Sequence, residues 1–309
     1  MKKVPKLRFK PTDGGVFPDW EEKTLGDFLE FKNGINADKE QYGAGVKFIN
    51  VLDILENDYL TYEKVIGSIS ISDEEIERYS VNYGDILFQR SSETREDVGK
   101  SCVYLDKNAV CVFGGFVIRG KRISNYSPVF LNKLLQRDNV RKQITEKSGG
   151  STRYNIGQET LKIIKINLPS LPEQEKIAEF LSAVDEKIEL RSQKVEKLKT
   201  YKKAVMQKLF SQELRFKAED GSDYPEWEEK TLGEVCEINP KNSELPTEFV
   251  YIDLEAVENG KLNKVNRISR FDAPSRAQRF LKKDDILFQM VRPYQQNNLF
   301  FSFTNDLES

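Results

Sequence analysis

The sequence predicts an α+β protein: a globular mixed α/β module, a long coiled-coil spacer helix, and a second, partial copy of the module. Three observations carry this reading. A 21-residue passage occurs twice, 207 positions apart, as Leu7 to Asp27 (LRFKPTDGGVFPDWEEKTLGD) and Leu214 to Glu234 (LRFKAEDGSDYPEWEEKTLGE), with 14 positions identical. That period is too long for a solenoid and marks two domain-sized units. Between the copies, aliphatic residues follow an unbroken 4,3 spacing, the mark of a coiled-coil seam. Within the first unit, strand-like and helix-like stretches mix without regular βαβ alternation. The expected divisions are 1–168 for the first module with its lead-in, 169–213 for the spacer helix, and 214–309 for the repeated lead-in and an incomplete second module.

In chain order, Trp20 to Leu25 leads into Phe28-Leu29-Glu30-Phe31. The alternation of Lys47-Phe48-Ile49-Asn50-Val51 reads as a half-buried strand. Ser72 to Arg78 (SDEEIER) predicts a short helix with Ser72 as N-cap and acidic residues in its first turn. Gly84-Asp85 punctuates before a strand, Ile86 to Arg90, which runs into a polar loop from Ser91 to Lys100. Two further strands follow, Cys102 to Leu105 and Ala109 to Ile118, the second broken at Gly114-Gly115. From Pro128 to Glu146 the period turns helical, a loop runs from Ser148 to Asn155, and a last strand spans Ile163 to Leu168.

The spacer begins at Pro172, a residue suited to the first helical position, with Glu173 and Glu175 favourable in the first turn. Its seam is Ile177, Leu181, Val184, Ile188, Arg191, Val195, Leu198, Lys202, Val205 and Leu209, eight of the ten aliphatic. A helix from Pro172 to Phe210 would be about 58 Å long at 1.5 Å per residue, too long to bury in either module. It therefore needs a partner. Arg191 and Lys202 within the seam could set register or simply reach water. In the second module, Val250 to Leu254 stands for the Phe48 strand, and Asp284 to Gln289 answers Gly84 to Gln89 with five identical residues. The spacing there has fallen to 200, so the intervening loops differ.

Composition narrows the chemistry. The chain has no histidine, which removes Ser-His-Asp and Cys-His catalysis and histidine metal sites together. Walker A, GxGxxG, GxSxG and HExxH signatures are absent as well, so no cofactor or metal is expected. The three cysteines, Cys102, Cys111 and Cys236, form no CxxC pair and read as buried reduced thiols. No apolar run approaches the length of a membrane span and the N-terminus lacks the apolar core of a signal peptide, so a cytoplasmic protein without membrane contact is expected. The net charge of −2 does not advertise a nucleic-acid binder, although basic and acidic faces can cancel.

A module, a heptad helix, a repeated lead-in and a second module with different loops together resemble the specificity subunit of type I restriction-modification systems. The residues that carry the resemblance are Asn167 to Leu181 (NLPSLPEQEKIAEFL), the Gly84 to Phe88 strand, Gly149 to Arg153 (GGSTR), and the Pro-x-Trp-x-x-x-x-Leu-Gly pattern at Pro18 to Gly26 and Pro225 to Gly233. The resemblance covers essentially the whole chain. It implies target recognition domains that each read one half of a split site in double-stranded DNA, and an antiparallel pair of long helices that fixes the gap between halves. It also implies a non-catalytic subunit that docks methyltransferase (modification) subunits and, through them, the restriction subunit. A full-length member would carry a second heptad helix, so the chain reads as C-terminally truncated. Its seam could then pair with the same helix of a second copy, and such a homodimer would read a palindromic split site; an inactive product is the other outcome.

For such a reader, polar and basic loop residues should meet base edges and phosphates. The candidates are Gln89, Arg90, Ser91, Ser92, Arg95 and Lys100 in one loop, and Thr152, Arg153 and Asn155 in a second. In the second module the equivalent stretch is Gln289, Arg292, Gln295 and Gln296. Arg and Gln are the side chains able to bind guanine and adenine bidentately. Two rival classes stand beside this one: a coiled-coil scaffold without DNA affinity, and a carboxylate-based hydrolase.

Overall fold

In the computed structural model the described residues are 5–240, 246–275, 277, 279–295 and 297–302. Gln296 thus lies outside them, as do the last residues of the chain. The chain divides into two compact units, Met1–Glu213 and Leu214–Ser309.

The first unit opens with β1 (Glu21–Thr24) and β2 (Leu29–Asn33), followed by β3 (Tyr42–Ile49) and α1 (Val51–Glu56). The predicted strand at Lys47–Val51 therefore stops two residues early. Asn50 ends it by capping α1, its Oδ1 accepting from the Leu52 amide at 2.8 Å while Asp53 accepts from the Asn50 amide at 2.8 Å. This reciprocal cap satisfies donors that a helix start leaves open. Next come β4 (Tyr59–Leu60), β5 (Ser68–Ile69) and α2 (Asp73–Tyr79), whose N-cap is Ser72, with the capping box its sequence predicts. The strand into the polar loop is β6 (Ile86–Gln89), and the loop itself begins as a short strand, β7 (Ser91–Ser92). Then follow β8 (Ser101–Tyr104), β9 (Val112–Phe113) and β10 (Val117–Arg122), the last two divided at the predicted glycine pair.

The helical stretch is two helices, α3 (Pro128–Leu135) and α4 (Asp138–Lys147), broken at Gln136 and Arg137. The second loop ends in a strand, β11 (Tyr154–Asn155), and an unforeseen short helix, α5 (Gln158–Lys162), precedes β12 (Lys165–Leu168). The spacer is one helix, α6 (Leu171–Phe210).

The central sheet has order β2-β10-β6-β8-β4, and only its β4–β8 pair is parallel. Because side chains alternate across a strand, β6 serves two cores at once. Ile86 and Phe88 enter a cluster with Leu131, Leu135 and Ile144 of α3 and α4, while Leu87 enters another with Ile54, Tyr104 and Cys102. All four residues of β6 are buried. A smaller sheet, β5-β3-β9, covers a third cluster around Phe48 and Ile69.

The start of α6 is docked against the unit. Glu173, wholly buried, accepts two hydrogen bonds from Arg8, from Nε at 2.8 Å and Nη2 at 2.6 Å. Phe9 packs on Phe180 with ring centroids 5.7 Å apart, and Lys133 pairs with Asp185 at 2.9 Å. Glu173, expected only to favour the helix dipole, is thus the anchor of the lead-in segment. Beyond Asp185 the helix is exposed: Ile188, Arg191, Val195, Leu198 and Lys202 all face open space, while Val205 and Leu209 are half-buried.

The second unit contains α7 (Leu232–Val235), β13 (Glu248–Tyr251), β14 (Val257–Glu258), β15 (Lys261–Leu262), β16 (Asn266–Ser269), β17 (Asp285–Leu287) and β18 (Leu299–Phe301). These strands pair as three separate ribbons: β13 with β16, β14 with β15, and β17 with β18. Two-stranded ribbons shelter little apolar area, and among the described residues of this unit the buried apolar ones are Ala256, Val257, Ala277 and Leu299. Cys102 and Cys111 are buried as expected, but Cys236 is exposed. It lies just past α7, where no layer covers it.

Candidate nucleic-acid interface

The two polar loops proposed separately from sequence are one structure in the first unit. β7 pairs antiparallel with β11, Ser91 opposite Asn155 and Ser92 opposite Tyr154. The Ser91 hydroxyl is hydrogen-bonded to Asn155 Oδ1, joining residues 64 positions apart. The Ile156 amide donates to the Arg90 carbonyl at 3.0 Å, which continues the ladder.

Each loop is then closed on itself. In the first, the Gly99 amide donates to the Gln89 carbonyl and the Gln89 amide to the Lys100 carbonyl, both within 2.9 Å. Gly99 lies at φ +68°, and an added Cβ would sit 2.5 Å from Ile144 Cγ2, so a side chain there would push α4 away. In the second, Gly149 and Asn155 exchange backbone bonds. Gly150, at φ +116°, brings its α-carbon so near the Arg153 carbonyl that a Cβ would overlap it. The hairpin tip carrying Thr152 and Arg153 is thereby fixed in shape and open to solvent.

The candidates divide by environment. Gln89 is buried, its Nε2 donating to the Ser91 carbonyl at 2.9 Å and its Oε1 without a partner. Ser92 is buried and accepts from the Thr94 amide. Arg90 is half-buried, with Nη1 donating to the Gly115 carbonyl at 3.2 Å. These three shape the loop from beneath. Arg95, Lys100, Thr152, Arg153 and Asn155 are exposed, and Ser91 is half-exposed beside them. Arg95 is steadied by a bond from Nε to the Thr145 carbonyl at 3.0 Å, which leaves both terminal nitrogens available.

Lys100 pairs with Asp97 at 2.6 Å. That contact first, and the Thr94 hydroxyl second, holds the Asp97 carboxyl below its usual range. Sequence reading missed Arg141 of α4, whose Nη2 donates to the Glu96 and Val98 carbonyls at 2.8 and 2.7 Å. Nothing in the sequence marks it, because it acts on a segment over 40 residues away.

In the second unit, Gln289 is also buried. Its amide group bonds to the Val291 carbonyl, the Gln295 side chain and the Asn297 amide. Arg292 is exposed and has φ +55°. Among the described residues no cluster of three or more histidine, cysteine, aspartate or glutamate side chains could hold a metal, and no helix is long and apolar enough to cross a membrane.

Comparison with known proteins gives a consistent set of relatives. The family described as "Type I restriction modification DNA specificity domain" matches residues 18–200. The protein MjaX of Methanocaldococcus jannaschii, named for a type I restriction enzyme specificity subunit, is 30% identical over 73% of this chain and 55% of its own length. The MjaIX specificity subunit of the same organism is 27% identical over 79% of this chain and 58% of its own. The chain thus spans little more than half the length of these curated relatives. Among solved structures, the S subunit of a type I restriction-modification system from M. genitalium is 20% identical, with TM-score 0.44, over 67% of this chain and 49% of that one.

Proposed function

Since the chain belongs to the type I restriction-modification DNA specificity family, we propose that it reads the target sequence in double-stranded DNA for a methylation and restriction complex, without chemistry of its own. The observation that carries this is local. Within the stretch matched to the family, residues 18–200, two polar loops 64 residues apart are held as one exposed element by the β7–β11 pairing. Ser91, Arg95, Lys100, Thr152, Arg153 and Asn155 form its outward face, while Gln89, Arg90 and Ser92 hold it in shape. Arg95 and Arg153 are the side chains best suited to bidentate contact with guanine.

In this reading 1–168 is a target recognition domain, 169–213 a spacer, and 214–309 part of a second recognition domain with Gln289 and Arg292 in its reading region. The complex would include methyltransferase subunits and, through them, the restriction subunit. The exposed seam supports pairing of α6 with another long helix. Ile177, Leu181, Val184, Ile188, Val195, Leu198, Val205 and Leu209 are eight aliphatic residues in heptad register, and the stretch from Val184 to Leu198 is exposed. A second copy of the chain would cover it two-fold symmetrically.

The test is co-expression with the cognate methyltransferase subunit, followed by mapping of methylated adenines in host DNA. A split motif is the expected result, and a palindromic one would point to two copies of the chain. Absence of any motif-linked methylation, with the proteins co-purifying, would overturn the proposal. For the helix pairing, sedimentation should show a dimer that Leu181→Glu, Ile188→Glu and Val195→Glu together convert to a monomer.

A further inference from the structure

A second basic feature lies outside the loops, at the edge strand of the central sheet. Arg119 of β10 stands directly opposite Lys32 of β2, and Lys121 is two residues further along the same face of β10. Arg78, at the end of α2, joins them through the shared Tyr79 ring: Lys32 Nζ lies 4.8 Å and the Arg78 guanidinium carbon 5.6 Å from its centroid. Lys32 also donates to the Arg78 carbonyl at 3.0 Å. Arg119 is buried beneath them, bonded to the Ser80 carbonyl and stacked on Phe113, with Nε unpartnered.

Arg119 opposite Lys32 opposes folding, since like charges directly across a strand pair are unfavourable, and Glu30, opposite Lys121, offsets only part of the four collected charges. Elsewhere this chain pairs its lysines: Lys133 with Asp185, Lys162 with Glu159 and Lys199 with Glu196 are examples. Among the described residues none of the four is in an ion pair. Glu30 and Asp85 are the acidic groups acting on the cluster, but Glu30 makes no ion pair and Asp85 is taken by the Asn82 and Arg122 amides. Lys32 is held below the usual lysine range, by burial first and then by Arg78, Arg119 and Lys121. An anion arriving from outside would relieve the repulsion.

Position says which anion. β10 pairs with β6 on one side and β2 on the other, and Val117 faces Gln89 two residues before Arg119 faces Lys32. With strands about 4.8 Å apart and about 3.4 Å per residue, the cluster lies roughly 12 Å from the residue at which the reading loop begins. The DNA major groove is itself about 12 Å wide, so a patch at this distance from a loop in the groove is within reach of a flanking sugar-phosphate strand.

We propose that Lys32, Arg78 and Lys121, set over buried Arg119, form a phosphate-binding patch for duplex DNA beside the reading loops. The proposal rests on the DNA-reading function above and adds residues that fix position rather than sequence. The experiment uses the full chain in complex with its methyltransferase and a fluorescein-labelled duplex of mixed sequence, titrated between 50 and 200 mM salt. The triple variant K32Q/R78Q/K121Q should make the slope of log affinity against log salt less negative by about 2–3, at about 0.9 for each phosphate no longer neutralised.

A control, K142Q/K162Q/K199Q, removes the same charge from lysines already ion-paired and should leave the slope within about half a unit of wild type. An unchanged slope in the triple variant, or an equal change in the control, overturns the patch while leaving the reading function standing. Wild type that binds no DNA overturns both. Should the triple variant fail to fold, exposed Lys121→Gln alone keeps the test, with an expected slope change of about 0.9 and rejection if there is none.

Discussion

The sequence Asp-Ile-Leu-Phe-Gln occurs at Asp85–Gln89 and again at Asp285–Gln289, and the two copies share local contacts while their apolar side chains meet opposite surroundings. Residue 84 and residue 284 both take left-handed φ, +90° and +71°. The Asp85 carboxylate accepts from the amide three residues before it at 3.0 Å, and Asp285 does the same at 2.7 Å. Gln89 and Gln289 each donate to the carbonyl two residues on, at 2.9 and 2.7 Å. Yet Ile86 and Phe88 are wholly buried, whereas Ile286 and Phe288 are each 69% exposed. Local bonding is therefore set by the five residues themselves. Burial is set by the sheet and helices that α3, α4, β8 and β10 supply in the first unit.

The sharpest way to break this comparison is to remove the same ring twice. Phe88→Ala should destabilise the first unit by about 3–5 kcal/mol, the cost of a large buried aromatic. Phe288→Ala should change stability by no more than about 0.5 kcal/mol, as at exposed positions generally. Urea denaturation of each variant measures the difference, and equal losses would mean that residues 284–289 are buried in solution by something else.

A slightly smaller contrast lies in the lead-in segments. Arg8 and Arg215 both donate to a proline carbonyl, Pro18 at 2.7 Å and Pro225 at 2.6 Å. Arg8 additionally grips buried Glu173, while Arg215 pairs with the exposed Glu226. Glu173→Ala should cost about 3 kcal/mol, because it strands a largely buried guanidinium. Glu226→Ala should cost at most about 1 kcal/mol. Thermal unfolding that ranks Glu226→Ala above Glu173→Ala would show the two segments to be docked in the reverse sense.

Exchanging the left-handed residues is milder still. Asp284→Gly should stabilise by some tenths of a kcal/mol to about 1, since glycine carries no penalty at that φ. Gly84→Asp should destabilise by more, because its Cβ would meet Arg122 Cδ at 2.9 Å and Pro128 Cγ at 3.2 Å. Chemical denaturation of both variants checks the opposite signs.

These contrasts also mark what could be read from the chain alone. The Ser72 cap, the β6 strand and the length of α6 follow from local pattern and period, and each formed as expected. The Asn50 cap could have been read too, since an asparagine followed three residues later by aspartate is a capping pattern. The Arg8–Glu173 clamp joins residues 165 apart, and the Ser91–Asn155 contact joins residues 64 apart. No period in a sequence encodes such pairs. The same holds for Gln89: its type suggested base contact, but only the sheet reveals that its amide faces inward. Arg78 and Lys32 lie 46 residues apart, so the basic cluster was invisible for the same reason.

The smallest effect expected is on reactivity and separates the two units by their cysteines. Thiolate is the species that reacts, so exposure and pKa decide the rate. Burial raises Cys102 to about 12 and Cys111 to about 11, the latter despite its contact with the Tyr104 hydroxyl at 3.4 Å. A raised pKa means the neutral thiol persists as pH climbs, so both should stay unlabelled from about pH 7 to 9 in the folded protein. Cys236, exposed in the second unit, should react with an aromatic disulfide reagent at once. One fast thiol without denaturant and three with it is the expected count. If Cys236 stays slow until denaturant is added, then the surface around α7 is covered in solution, and the contrast between the two copies of Asp-Ile-Leu-Phe-Gln narrows accordingly.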